Sequence, residues 1–147
     1  MRKHLAVLLL LMLPLSLFGC GNATQGQTPP DGSPQWGITL EAENVTATGL
    51  TLLCHQQGGG VEDLATEAAY VLQKRENSEW IDVPATREDI CWDAMAYLIK
   101  TDGTTRWDVD WENLYGTLPA GEYRIGKSIS GAGEAEPGIF YAEFVIE

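Results

Sequence analysis

The sequence predicts an antiparallel, all-β domain that begins near Trp36. From that residue onward the dominant hydrophobic period is two, because short runs of β-branched and aromatic residues alternate with polar ones. Clusters of glycine, proline, asparagine and aspartate separate these runs and mark turns. The chain has 147 residues, which is enough for one domain of ordinary size.

Eight runs of the sequence have this strand-like pattern. The clearest is the last, where Phe140, Ala142 and Phe144 share one face opposite Glu143. In the run before it, Tyr123, Ile125 and Ile129 share one face. The predicted strands cover residues 38–43, 50–55, 70–72, 81–83, 96–100, 107–111, 123–129 and 140–146.

The residues between the runs predict how the strands are joined. Asp102-Gly103 predicts a two-residue hairpin between the fifth and sixth runs, because glycine readily adopts the positive φ of such a turn. Residues 76–78 are expected to join the third and fourth runs, and residues 119–121 to turn the chain into the seventh. Residues 61–69 and 112–115 are each expected to form one or two helical turns.

Residues 1–19 have the pattern of an export signal peptide. Arg2 and Lys3 precede an apolar run over residues 5–18, and the small residue Gly19 ends the segment. The run is shorter than the roughly 18 to 20 residues of a membrane-spanning helix, so we expect cleavage. The stretch Leu17-Phe18-Gly19-Cys20 resembles the lipobox of bacterial lipoproteins.

The lipobox resemblance implies that Cys20 becomes the lipid-bearing first residue of the mature protein. Such an anchor fixes a protein to the outer face of a bacterial membrane, since two or more acyl chains hold permanently where one binds only marginally. The expected partner at Cys20 is therefore the membrane. Residues 20–35 contain three prolines, lack large apolar residues and predict a flexible tether on the order of 20 Å long. The folded domain is expected to cover residues 36–147.

The charge balance excludes one class of partner. After removal of residues 1–19, 7 basic residues face 21 acidic ones, a formal charge of −14. Because the chain lacks the basic stripe that phosphate neutralisation requires, nucleic acid is not an expected partner.

Motifs of catalysis are also missing from the sequence. His55 is the only histidine after the signal peptide, which argues against hydrolase triads and histidine-based metal sites. The chain lacks HExxH, GxSxG, paired CxxC and P-loop motifs. We therefore predict no catalytic residue, no cofactor, no metal ion and no enzyme activity.

A family resemblance refines the predicted fold. The stretch from Trp107 to Lys127, WDVDWENLYGTLPAGEYRIGK, is similar to bacterial immunoglobulin-like (Ig-like) domains of surface proteins and lipoproteins, as are residues 36–40, 48–52 and 141–144. The resemblance implies an Ig-like antiparallel β-sandwich of about seven or eight strands. Tyr123 then resembles the tyrosine corner of such sandwiches, whose hydroxyl bonds back to the upstream backbone. Ile125 stands where antibody domains place a cysteine.

Two cysteines remain once Cys20 carries lipid. Cys54 and Cys91 either form a disulfide, which an oxidising compartment permits, or stay separate thiols. A bridge would close a loop of about 37 residues and contribute on the order of 3 to 4 kcal/mol. As a separate thiol, Cys54 would act as a small hydrophobe on the apolar face of its strand.

Three tryptophans are candidates for contact with a ligand. Trp80, Trp92 and Trp111 either form a flat aromatic platform, as in sugar-binding β-sandwiches, or pack in the core and at its rim. The first arrangement requires exposed, coplanar rings. Packing is the alternative, and burial decides between the two.

Three carboxylates stand two residues apart in the sixth run. Asp108, Asp110 and Glu112 have a spacing seen in some calcium loops. The same spacing describes the solvated outer face of a strand, and the turn glycine of a calcium loop is missing. The solvated face is therefore the favoured interpretation.

Taken together, the sequence predicts a membrane-anchored extracytoplasmic lipoprotein whose Ig-like domain is a non-catalytic binding or interaction module. The expected partner is an unidentified protein or glycan. Three other classes stay open. A carbohydrate-binding module would use exposed tryptophans, and an inhibitor or accessory subunit of an envelope protein would present one exposed apolar patch. An enzyme, the class that the sequence does not favour, would require a cleft that holds a carboxylate of shifted pKa.

Overall fold

The structure is a computed structural model, and it describes residues 36–133 and 136–147. The predicted signal peptide, Cys20 and the tether lie outside these residues. The elements, in chain order, are β1 (Ile38–Glu43), β2 (Gly49–Gln56), β3 (Ala65–Thr66), β4 (Val71–Glu76), β5 (Glu79–Asp82), β6 (Tyr97–Leu98), β7 (Gly103–Asp110), α1 (Glu112–Tyr115), β8 (Gly121–Ser130) and β9 (Gly138–Ile146).

The strands form two antiparallel sheets, which confirms the predicted β-sandwich. The smaller sheet has the order β1-β2-β7. In the larger sheet, β8 pairs with β9 along one edge, and with both β4 and β3 along the other. On their far sides, β4 pairs with β5 and β3 pairs with β6. β1 also packs beside β9, which joins the two sheets at one side.

Alternating side chains from both sheets fill the space between them. Trp111, Tyr123 and Ile125 are completely or almost completely buried there. The ring of Phe144 stacks on both Trp111 and Tyr123, with 5.8 Å between ring centroids in each pair. Each large apolar side chain buried in this way contributes about 1.5 to 3 kcal/mol, so these aromatic residues are a major part of the driving force for folding.

Tyr123 also makes a polar contact at the start of β8. Its hydroxyl donates a hydrogen bond to the carbonyl oxygen of Pro119, at 2.8 Å. Because the residue is buried, this bond satisfies a hydroxyl that would otherwise be costly to bury. The contact ties β8 to the turn that precedes it.

The prediction of a hairpin at Asp102-Gly103 is wrong. The strands before and after this turn lie in different sheets, because β6 pairs with β3 whereas β7 pairs with β2. Asp102, not Gly103, has the positive φ, and its carboxylate accepts a hydrogen bond from the Gly58 amide. A turn is present at Thr101 and Asp102, but a turn alone does not decide which strands pair.

Three further segments test the predicted connections. Residues 61–69 do not form a helix, since they contain the short strand β3. The helical turn expected at residues 112–115 is present as α1. The expected turn at residues 76–78 is also present and joins β4 to β5, with positive φ at Asn77 and Ser78. Positive φ at both central residues matches the twist of a two-residue hairpin.

The two cysteines are free, so the disulfide considered from the sequence is not formed. Cys54 is completely buried on the inner face of β2, whereas Cys91 is exposed in the segment between β5 and β6. Burial raises the pKa of the Cys54 thiol to about 12, which keeps it protonated and unreactive.

Among the residues that the structure describes, no helix has both the length and the apolar character required to cross a membrane.

The different environments of the two thiols predict different reactivities. In the native protein at pH 8, Cys91 should react rapidly with a water-soluble disulfide reagent, while Cys54 reacts only after unfolding. A Cys91→Ser variant serves as the control, because it should lose the fast phase and keep the slow one. Absence of any fast-reacting thiol in native protein before reduction would contradict the structure.

Candidate functional site

An open groove lies at one side of the sandwich, where the two sheets separate beside β7. Its volume is about 420 Å³. Because β7 is the last strand of the smaller sheet, no neighbouring strand of the described chain covers its inward-facing Trp107 and Val109, which are only half-buried. The groove is lined by Leu52, Glu67, Ala68, Tyr70, Tyr97, Arg106, Trp107, Asp108, Val109, Asp110 and Lys127.

The opposite wall of the groove is a break in the larger sheet between β3 and β4. Thr66 pairs with Ile129 of β8, and Val71 pairs with Gly126. Residues 67–70 therefore stand opposite only the two residues 127–128. The longer segment must leave the ladder, and its carbonyl groups need partners other than β8.

Lys127 supplies those partners. Its Nζ donates hydrogen bonds to the carbonyl oxygens of Glu67, Ala68 and Ala69, the last at 3.0 Å. The residue is only 5% exposed, and Nζ lies 5.6 Å from the centroid of the Trp107 ring. Burial lowers the pKa of Lys127 to about 8, an effect that Glu67 partly opposes. At pH 7 the ammonium group is therefore charged, and all three of its protons are used.

Aromatic rings continue from the groove onto the surface. The ring of Tyr70 lies 4.9 Å from the edge-on ring of Trp92 and 6.2 Å from the ring of Tyr115. The Tyr70 hydroxyl is buried and has no hydrogen-bond partner among the described residues. Burial chiefly, with smaller contributions from Tyr115 and Asp110, raises the pKa of Tyr70, which leaves a neutral phenol facing this end of the groove.

Beyond the groove, one exposed stretch is unusually apolar. Four large apolar side chains occur within residues 92–98, and the most exposed of them, Leu98, is 71% exposed. The four are Trp92, Met95, Tyr97 and Leu98. Tyr97 lines the groove itself, so the apolar surface of the groove is extended by this segment. An exposed apolar surface of this kind is typical of an interaction site.

The rim of the groove is charged. On the outer face of β7, Arg106 is 53% exposed and Asp108 is 82% exposed. Both side chains bond the hydroxyl of Thr51: Arg106 donates to it at 3.0 Å, and it donates to Asp108 at 2.9 Å. Glu67 and Asp110 are also exposed at the rim.

The structure separates the three tryptophans proposed as a ligand-facing platform. Trp111 is completely buried, and its indole nitrogen donates a hydrogen bond to the Ala47 carbonyl oxygen. Trp80 is half-buried, with the Arg124 guanidinium 4.7 Å from its ring centroid. Trp92 packs on Tyr70. The platform of Trp80, Trp92 and Trp111 is therefore not formed, because Trp111, which directly follows β7, lies in the core.

The other polar candidates from the sequence lie outside the groove or only at its edge. His55 is half-buried on β2 and contacts Glu41 and Thr104. Asp108 and Asp110 are exposed, as a solvated strand face requires. In residues 36–133 and 136–147, no group of three or more histidine, cysteine, aspartate or glutamate side chains is placed to hold a metal ion.

Sequence reasoning missed Lys127 and the groove aromatics Tyr70 and Tyr97. A signal for Lys127 was present, because the period of two that places Ile125 and Ile129 inside also places Lys127 there. A lysine on an apolar face indicates a buried ammonium with acceptors around it. Tyr97 gave no comparable signal, since its position depends on which sheet β6 joins.

The hydrogen bonds of Lys127 predict a large effect on stability. Lys127→Met should lower the free energy of unfolding by about 2 to 3 kcal/mol, because the carbonyl groups of residues 67–69 lose their partner. Urea denaturation followed by tryptophan fluorescence measures this loss. Lys100→Met, at an exposed lysine, is the matched control and should change stability by less than about 0.5 kcal/mol. Equal effects of the two variants would contradict the role given to Lys127.

Comparison with known proteins agrees with the observed architecture. No curated protein matches the chain. A family model described as "Bacterial Ig-like domain" matches residues 32–144, which is well over half of the chain. The matched range includes every residue of the groove and all of both sheets except the last two residues of β9. The chain therefore belongs to the bacterial Ig-like domain family.

Proposed function

We propose that this chain is a lipid-anchored extracytoplasmic protein whose Ig-like domain binds another protein along β7 and the adjoining groove. The observation that carries the proposal is an eight-residue edge strand, unpaired on one side within the described chain, beside half-buried aromatic side chains. Such an edge accepts an extended segment of a partner by forming main-chain hydrogen bonds, while pockets beside it select the side chains.

The direction of the backbone groups of β7 supports this mode of binding. The Trp111 amide bonds to the Thr48 carbonyl oxygen at 2.9 Å, so residues 48 and 111 form a hydrogen-bonded pair. Bonded pairs in an antiparallel ladder recur at every second residue, which directs the backbone groups of Trp107 and Val109 toward β2. The backbone groups of Arg106 and Asp108 then point away from β2, toward the free edge.

The family membership supports a non-catalytic role, since domains of this family are generally non-catalytic modules. The groove fits that role. Lys127, the buried cation of its lining, is fully used by backbone carbonyl groups, so its ammonium group is committed to structure. Binding in the groove would instead use its aromatic walls.

The anchor is supported by the sequence of the leader, where Leu17, Gly19 and Cys20 match the lipobox. The tether within residues 20–35 would let the domain stand clear of the membrane surface. With both features the domain would lie outside the cytoplasm, where a partner would be another envelope or extracellular protein.

The anchor proposal predicts the location of a variant. Cys20→Ala should move the protein from the membrane fraction to the soluble extracytoplasmic or secreted fraction, because the acyl chains would have no attachment site. Cell fractionation followed by immunoblotting measures this change. Cys91→Ala is the matched control and should stay with the membrane. Retention of the Cys20→Ala protein in the membrane fraction would overturn the anchor.

The binding surface is tested by blocking the edge of β7. Asp108→Pro removes an amide that points to the free edge and leaves the ladder with β2 intact, so it should abolish strand addition. Asp108→Ala is the control for loss of the side chain. The measurement is the amount of each envelope protein that is crosslinked to the full chain in cells, quantified by mass spectrometry.

The expected result is loss of a specific crosslinked protein with Asp108→Pro, by about tenfold or more, and its retention with Asp108→Ala. Unchanged crosslinking with both variants would contradict binding along β7. A glycan that binds equally well to both variants would favour the carbohydrate-binding alternative.

A further inference from the structure

We infer that the partner at β7 is a second copy of this chain, paired antiparallel through β7 about a two-fold axis at Trp107. The inference rests on the proposed function, because it names the occupant of the same edge. The two three-stranded sheets would join into one continuous sheet. Each copy would place its Trp107 beside the groove of the other.

Backbone direction limits the registers that two β7 strands can adopt. The free backbone groups belong to even-numbered residues, as the pairing of residues 48 and 111 establishes. Hydrogen-bonded pairs between two copies must therefore join even residues to even residues. A slip by one residue is forbidden, since it would also turn the apolar face outward. Only shifts by two residues remain.

Side-chain charge selects one of these registers. With the axis at Trp107, Arg106 of each copy lies directly opposite Asp108 of the other, and Thr104 lies opposite Asp110. Two opposite-charge pairs form, and no like charges face each other. Such cross-strand pairs are each worth about 0.2 to 1 kcal/mol.

The neighbouring registers each contain a like-charge contact. With the axis at Arg106, the two Arg106 side chains face each other. With the axis at Asp108, Arg106 faces Asp110 twice, but the two Asp108 side chains face each other. With the axis at Val109, Asp108 faces Asp110 twice. Like charges directly opposite each other destabilise a strand pair. β7 is thus self-complementary in one register that uses its full length.

The inner face agrees with the same register. Trp107 would face Trp107 of the second copy at a non-hydrogen-bonded position, where opposite side chains approach most closely. Thr105 would face Val109 beside it. These half-buried side chains would be covered by their counterparts, and the two grooves would meet at the axis. The association is isologous and closes at two copies.

Other features of β7 leave the edge available. Its pairing with β2 runs over eight consecutive residues without a bulge, and it contains no proline. Arg106 and Asp108 are exposed on the outer face, so they can contact a second copy without any change in the packing of the core. The tether sequence of residues 21–34, GNATQGQTPPDGSP, has no large apolar residue for the groove and is a poor occupant.

A charge exchange tests the register. Arg106→Asp alone places two aspartates opposite each other in each symmetric pair, and Asp108→Arg alone places two arginines there. Each single variant of the full chain, solubilised in detergent, should raise the dimer dissociation constant roughly tenfold to a hundredfold. Sedimentation equilibrium measures the constant, and Glu143→Ala, at an exposed carboxylate on β9, is the control.

An equimolar mixture of the two single variants gives the decisive result. In the mixed pair, the aspartate introduced by Arg106→Asp faces the arginine introduced by Asp108→Arg. The unchanged Asp108 of the first variant faces the unchanged Arg106 of the second. Both pairs again join opposite charges, so the dimer should be restored.

A role for the two residues only within their own chain predicts no restoration on mixing. Circular dichroism of each variant establishes that it is folded, as expected for substitutions at two exposed positions.

The outcomes separate this inference from the proposed function. A monomeric wild-type chain, or a mixture that stays monomeric, overturns self-pairing. If, in that case, Asp108→Pro still loses a crosslinked envelope protein, binding along β7 stands and its occupant is that protein. If neither self-pairing nor such a partner is found, both proposals fail.

Discussion

The hydrogen bonds from the Lys127 ammonium to the carbonyl oxygens of residues 67–69 stabilise the break between β3 and β4. This break forms one wall of the groove. Without a buried donor, the segment between β3 and β4 would leave unpaired carbonyl groups inside the protein. With it, the segment is stable outside the ladder. Burial of the charge costs free energy, as the lowered pKa of Lys127 indicates, and the three bonds offset that cost.

This arrangement determines what β7 can do. The break in the larger sheet faces the inner side of β7, and no strand of the described chain covers its outer edge. Trp107 and Val109 are therefore left half-buried in an otherwise well-packed domain. Natural sheets usually protect such an edge with charges that repel another strand. Here Arg106 and Asp108 have opposite signs, so the same charges that disfavour most registers favour one.

The formal net charge of −12 on the chain acts against association of two copies. Its effect is long-ranged and is screened by salt, whereas the Arg106 and Asp108 pairs act at contact distance. Anchoring at Cys20 would add to the local attraction, since it would confine the copies to one surface and raise their effective concentration. The negative charge would therefore weaken the proposed pairing without preventing it.

Much of the fold was predictable because the period of two is a property of each strand alone. Each of the eight predicted runs overlaps a strand, and the helical turn at residues 112–115 is present. The predictions that were wrong concern features that depend on how the strands assemble into sheets. The turn at Asp102 joins strands of different sheets, which local turn chemistry cannot show. β3 has only two residues, which is too short to show any hydrophobic period, and the sequence of residues 61–69 instead predicts a helical turn.

The groove was not predictable from the sequence, because Tyr97 and Trp107 come together only through the packing of the two sheets.

Amide hydrogen exchange along β7, measured by NMR on the full chain in detergent, directly tests whether the free edge of this strand is paired. If the free edge pairs with a second copy, the Asp108 amide should be protected in the wild type and exchange rapidly in the Arg106→Asp variant. The amides of Trp107 and Val109, which point toward β2, should be equally protected in both proteins. An Asp108 amide with the same exchange rate in the two proteins would contradict pairing of two copies through β7.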